Sequence, residues 1–166
     1  EWGGKTRGAF TLHNPIGWLR NHLPCHLLTF RDTGVRYIRK VLVVVHGAEY
    51  DRLIISTADQ FARSNEASLT IARVHSSTLA ASEEEASLML LNTLGKKYCA
   101  TEFKTKIIKT HQPVKDVLAV AVEYDLLVIG AQPKKTLVEH LFGTQDDEVI
   151  AQAPCSVVSI QAGKGV

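Results

Sequence analysis

Lys40-Val41-Leu42-Val43-Val44-Val45-His46, stopped by Gly47, is the stretch on which the fold turns. A strand with one wet face alternates apolar and polar residues. This one is apolar and mostly β-branched at consecutive positions, as a strand covered on both faces requires. Sheets buried on both sides are almost always parallel, with helices carrying the chain back across their faces. The residues that follow should therefore alternate between helix and strand.

They do. Between Glu49 and Asn65, Ile54, Ala58 and Phe61 recur at helical spacing. Leu69 to Val74 reads as a second strand, and Ser76 to Ala81 as a small polar loop. Ser82, with Glu85 three residues on, has the form of a capping box and opens a helix carrying Leu90, Leu94 and Tyr98. Phe103 to Lys109 alternates apolar and basic residues, as a partly exposed strand does. Pro113 suits the first turn of a helix whose Val114, Val117, Leu118 and Ala121 share one face. Leu126 to Gly130 is a short apolar strand. A helix follows Thr144, with Val149 and Ile150 turned inward, and Cys155 to Ile160 is the last strand. This alternation predicts a doubly wound α/β domain with helices on both faces, and right-handed crossovers leave few topologies. Ligands in such sheets bind outside the carboxyl ends of the strands, where strand order reverses. The positions to inspect are His46 to Ala48, Val74 to Ser77 and the loop after Ile129.

Composition removes several classes of function. The 166 residues suit one ordinary domain. With 45% hydrophobic and 22% charged residues the chain can bury a core, so it is not disordered. A net charge of +2 gives no electrostatic footprint for nucleic acid. No apolar run approaches the roughly 20 residues that span a bilayer, and the N-terminus lacks a secretory pattern. Cys25, Cys99 and Cys155 are widely spaced with no CxxC pair, so buried reduced thiols are expected. The expectation is a soluble, intracellular protein. Neither the Gly-x4-Gly-Lys-Ser/Thr phosphate loop nor Gly-x-Gly-x2-Gly nor Gly-x-Ser-x-Gly occurs, so the common enzyme templates fail.

The first 38 residues stand outside the alternation but repeat its end. Leu23-Pro24-Cys25-His26-Leu27-Leu28-Thr29-Phe30 parallels Ala153-Pro154-Cys155-Ser156-Val157-Val158-Ser159-Ile160. Ile16 to His22 precedes the first copy as Asp146 to Gln152 precedes the second. The expectation is a piece of a longer protein with two tandem domains. Residues 1–34 would be the last helix and strand of the first, 35–161 a complete second domain and 162–166 a tail, with Thr33-Gly34 as the link. The alternative is a private N-terminal extension that happens to contain Pro-Cys.

From Val128 through Ile160 the chain resembles the end of a universal stress protein domain. That family closes with Gly-x2-Gly-x9-Gly-Ser/Thr, a helix, Ala-Pro-Cys and a final strand. Gly130, the nine residues Lys134 to Phe142, Gly143, Thr144 and Ala153-Pro154-Cys155 match it. Val41 to Gly47 is similar to the family's first strand, so the likeness covers about residues 39 to 161. It implies a five-stranded parallel sheet in the order 3-2-1-4-5 with four helices. It also implies a site for ATP, ADP or AMP, with no metal and no catalytic residue of its own. By this resemblance the cofactor-binding residues are Val45, His46, Gly47, Val74, Gly130, Ala131, Gly143 and Thr144. Glycines let backbone N–H groups approach phosphates, and a helix N-terminus favours an anion. Two departures stand out: the family's second glycine is Pro133, and the acidic residue usual at the end of the first strand is His46. Proline lacks an N–H and fixes φ, so one donor of the cradle is lost while Gly143 and Thr144 keep the other half. The first copy has Gly3 where the second has Pro133, but His13 and Asn14 in place of Gly143 and Thr144.

Each candidate also has a structural reading. Thr144 can cap its helix with Asp147 in support. His46 and His75 can simply end strands, and no third ligand of suitable type accompanies them to hold a metal. Lys134 and Lys135 either neutralise phosphate or solvate a loop, and Glu83-Glu84-Glu85 suits a helix's first turn. The segment Cys25 to Gly34 is similar to the cytoplasmic tails of prokaryotic APC-type amino-acid permeases and cation/proton antiporters. That likeness implies a membrane-transporter domain upstream, tethering at the cytoplasmic face, and a non-catalytic regulatory or assembly role. The alternatives are an adenine-nucleotide sensor or a free-standing stress protein with slow ATPase activity. Family domains pair through their last strands, antiparallel about a twofold axis. Leu27-Leu28-Thr29 is therefore expected beside Val157-Val158-Ser159, within one chain or exchanged in a homodimer.

Overall fold

The computed structural model describes residues 25–46, 50–130 and 145–163. The elements are β1 Leu27–Arg31, β2 Lys40–Val45, α1 Asp51–Ser64, β3 Ser68–Ser76, α2 Ala81–Tyr98, β4 Phe103–Thr110, α3 Pro113–Ala121, β5 Leu126–Gly130, α4 Gln145–Gln152 and β6 Ser156–Gln161. They form one sheet in the order β1-β6-β5-β2-β3-β4. All neighbouring pairs are parallel except β1 with β6. The sheet thus has six strands rather than the expected five, and its order as a whole differs by the antiparallel β1 on one edge. Counted from Lys40, the five parallel strands read 3-2-1-4-5.

The pleat of β2 explains the two layers of core. Val41 to Val45 are at most 2% exposed. Val41, Val43 and Val45 face α1 and α2, packing with Ile54, Ile55, Ala58 and Leu91. Leu42 and Val44 face α3 and α4, packing with Val117, Ala121, Val149 and Ile150. Successive strand residues point to opposite faces, so a strand apolar at every position serves both layers. Each such side chain contributes roughly 1.5–3 kcal/mol on burial. The entry to β2 is fixed from afar: Asp125 accepts the N–H groups of Arg39 and Lys40 at 2.8 and 2.9 Å.

Two readings of helix starts fare differently. Pro113 occupies the first turn of α3, where its missing N–H costs nothing. Just before it, Thr110 Oγ1 accepts the Gln112 N–H at 2.6 Å and donates to the Asp116 carboxylate. The box read from Ser82 and Glu85 is not the cap of α2. That helix starts at Ala81, and Glu83, three residues past Ala80, accepts the Ala80 N–H at 3.3 Å. Ser82 therefore lies inside the first turn.

β1 is bound to the end of the domain within one chain. Its register sets Thr29 opposite Ser159 and Phe30 opposite Val158, the neighbours expected from the repeated Pro-Cys segments. Arg31 donates to the Ala153 carbonyl at 2.9 Å. Ser156 Oγ accepts the Thr33 N–H and donates to Asp32 Oδ1, both at 3.1 Å. The same Asp32 oxygen accepts the Gly34 N–H at 2.9 Å, and Gly34 takes φ +84, a turn that favours glycine. The cysteines correct the expectation of buried thiols: Cys155 is buried, Cys99 half-buried and Cys25 exposed at the entry to β1. Among the described residues no helix is long and apolar enough to cross a membrane.

Candidate functional site

Strand order reverses between β2 and β5. α1 leads from β2 towards β3 on one face, and α4 leads from β5's side to β6 on the other. In sheets of this kind ligands bind outside the carboxyl ends of the two strands at such a reversal. Val44 is paired with Ile129, so Val45 and Gly130 leave the sheet side by side, both buried. A Cβ on Gly130 would stand 2.4 Å from Ile54 Cδ1, so the glycine lets α1 close against the end of β5. His46 is exposed at the rim, and its backbone N–H donates to Asp51 Oδ1 at 3.3 Å. A carboxylate thus does stand at the end of the first strand, but α1 supplies it. Val74 is half-buried at the end of β3 on the Leu42 side of the sheet. Of the expected site residues, the structure brings Val45, His46, Val74 and Gly130 to neighbouring strand ends. Gly47, Ala131, Gly143 and Thr144 lie outside the described residues, as do Pro133, Lys134 and Lys135.

A second polar group sits one strand over. A cleft of about 440 Å³ beside β3 and the start of α2 is lined by Arg73, His75, Ser76, Glu83 and Ser87, among others. His75 Nε2 and Ser87 Oγ are 2.8 Å apart. Burial first, then the Arg73 charge, hold the His75 pKa below the usual imidazole value, with Glu83 opposing them. Ser77 Oγ lies 2.9 Å from His111 Nδ1 and also close to Nε2. One oxygen against both ring nitrogens is not an aligned nucleophile–base pair, and among the described residues no carboxylate orients the ring. Nearby, Lys109 Nζ pairs with Glu84 at 2.5 Å. His46 and His75 end adjacent strands, yet among the described residues no group of three ligands could hold a metal ion. Cys99 and Cys155 are poor nucleophiles at neutral pH. Burial, then Asp59, pushes Cys99 up to about 11, and burial raises Cys155 as well.

Sequence reading missed Asp51, Ser87 and His111. Arg73 was missed as well, although a charge inside an otherwise apolar strand run is a signal that could have found it. Ser87 and His111 carry no local signal, because their partners lie 12 and 34 residues away.

A mostly parallel sheet with helices on both faces and a reversal of strand order defines a doubly wound α/β domain. The profile of the universal stress protein family matches residues 38–161, and the chain belongs to that family. No curated protein sequence matches it. Among solved structures it is similar to a universal stress protein in complex with cAMP. That match has 25% identity and a TM-score of 0.61 over 73% of this chain and 94% of the other. It is also similar to a universal stress protein of Archaeoglobus fulgidus in complex with dAMP, at 17% identity and TM-score 0.57 over 75% and 98% of the two chains. A further universal stress protein, from Archaeoglobus fulgidus DSM 4304, matches 85% of this chain with only 51% of its own length, at 16% identity and TM-score 0.61.

Proposed function

We propose that the domain is a non-catalytic regulatory module that binds an adenine nucleotide in the crevice over β2 and β5. The observation that carries this is the adjacency of Val45 and Gly130 at the strand-order reversal, in a chain 25% identical to a protein solved with cAMP. The residues fit the ligand's chemistry. Val74 offers an apolar contact for a flat base, and His46 a polar ring at the exposed rim. Gly143 and Thr144, just ahead of α4, are the residue types that let backbone donors and a hydroxyl meet phosphate. Thermal-shift titration with cAMP, AMP, ADP and ATP tests the reading. A ligand at a hundred times its Kd stabilises by about 2.7 kcal/mol. No shift with any of them at millimolar concentration removes the proposal. A phosphate-release assay with ATP should read no turnover above the buffer rate.

We infer further that the module serves the cytoplasmic side of a membrane transporter. The support is the likeness of Cys25 to Gly34 to such tails, together with the hydrogen bonds that hold Arg31 to Thr33 on residues 153–156. The gene upstream of Glu1 decides it: transmembrane segments support the reading, and their absence in the full-length product overturns it.

A further inference from the structure

A cation taken out of water calls for a counter-charge. Arg73 follows Leu69 to Ala72, the buried run of β3, and stands in register with Val45 on β2 and Ile107 on β4. It is half-buried, yet among the described residues no carboxylate forms an ion pair with it. The acids at the start of α2 are engaged elsewhere. Glu83 accepts the Ala80 N–H, and Glu84 pairs with Lys109.

Arg73 lines the cleft of about 440 Å³ together with His75, Ser76, Thr78, Glu83 and Ser87. That volume falls in the range of small-molecule sites, about 300–1,000 Å³. Arg73 and His75 are two residues apart on one strand and so share a face, while Val74 between them packs on the Leu42 side. Ser87 is buried and bonded to His75 Nε2. It fixes the ring and leaves Nδ1 with no hydrogen bond among the described residues. Ser76 Oγ and Thr78 Oγ1 stand 2.9 Å apart at the end of the strand. The cleft thus gathers a guanidinium, an imidazole nitrogen and two hydroxyls, and its one carboxylate already caps α2.

We propose that this cleft is a second ligand site, for a small oxyanion of the carboxylate or phosphate class, held by the Arg73 guanidinium with His75 and the Ser76 and Thr78 hydroxyls as further donors. The planar fork of a guanidinium matches two oxygens of one such group. The anion supplies the counter-charge that Arg73 lacks, and it acts on His75 as well. Burial and the Arg73 charge disfavour the protonated ring, and Glu83 favours it. The other ionisable groups nearby are engaged. Lys109, opposite His75 on β4, pairs with Glu84, His111 is bonded to Ser77, and Asp51 at the start of α1 takes the His46 N–H. An anion on Arg73 therefore lets the imidazole take up a proton, and binding tightens as pH falls.

NMR titration of the 166-residue chain with sulfate and with acetate, at constant ionic strength, tests it. Saturable shifts should appear at Arg73, His75, Thr78 and Ser87, with Val45 and Gly130 unmoved. Tighter sulfate points to the phosphate class, and tighter acetate to the carboxylate class. Sulfate keeps its charge while the imidazole titrates, and it should bind about tenfold more tightly to the protonated ring. Arg73→Met should weaken binding about ten- to a hundredfold. Should that variant lose its fold, Arg73→Lys, which keeps the charge without the fork, should still weaken it. His75→Gln should keep most of the binding and lose its pH dependence. AMP should leave the sulfate in place. Sulfate bound here with no nucleotide over β2 and β5 supports this site and removes the nucleotide proposal alone. Three results would overturn the oxyanion site: shifts no larger than those with chloride, an Arg73→Met chain that binds as well as the parent, or sulfate that AMP displaces.

Discussion

Asp59 is 4% exposed and accepts the N–H groups of Ala100 and Thr101 at 3.2 and 2.9 Å, with Arg63 at 3.9 Å. It thereby fixes the turn between α2 and β4. Asp59→Ala leaves two amide donors without their acceptor and should cost about 3 kcal/mol, read as a lower urea midpoint at unchanged m. The same carboxylate, after burial, keeps Cys99 protonated in the fold, with its pKa raised from about 9 to about 11. The folded state then holds this proton more tightly than the unfolded chain. Stability should be level below pH 9 and fall as pH rises from 9 through 11. Cys99→Ser should flatten that fall, as thermal melts across the range would read. In the loop proposed to meet phosphate, Pro133→Gly adds a backbone N–H donor. A hydrogen bond to a charged group is worth roughly 1.5–3 kcal/mol, so nucleotide affinity should rise about ten- to a hundredfold. Calorimetry that finds the two variants equal would refute this account of the loop.

At the scale of elements, β1 is held to β6 by its ladder and by Arg31, Asp32 and Thr33. Deleting residues 1–34 bares the edge of β6, an apolar strand with no lysine to blunt it. The variant should melt lower and aggregate more readily, as light scattering during a thermal ramp would detect. An equally stable and soluble variant would mean that β1 is only decoration. The pairing was legible in the sequence because the Pro-Cys repeat tied two distant strands to one pattern. β2 was legible because five consecutive buried residues leave no other element, and α3 because Pro113 and a regular apolar spacing agree. The start of α2 misled because Ser82-Glu85 and Ala80-Glu83 offer the same acidic spacing, and only the path of the chain chooses between them. Nothing local in the sequence marks Asp51 and Asp59 as buried. Asp59 is paid for by amides 41 and 42 residues on, which no local pattern encodes.

For the molecule as a whole, the sheet sets two polar regions along one row of strand ends. Val45, with His46 beyond it, and Gly130 end neighbouring strands where strand order reverses, and the Arg73–His75–Ser87 cleft lies beside them over β3. That Val45, His46, Val74 and Gly130 meet at neighbouring strand ends was legible through the fold rule and the family resemblance. The cleft was not, since it exists only once α2 is laid against β3. The central claim is that an adenine nucleotide occupies the crevice and not the cleft. An amide NMR titration of the 166-residue chain with ATP tests it most directly. The account predicts saturable shifts concentrated at Val45, His46, Val74, Gly130, Gly143 and Thr144. Shifts confined to Arg73, His75 and Ser87, or none at all at millimolar ATP, would contradict it.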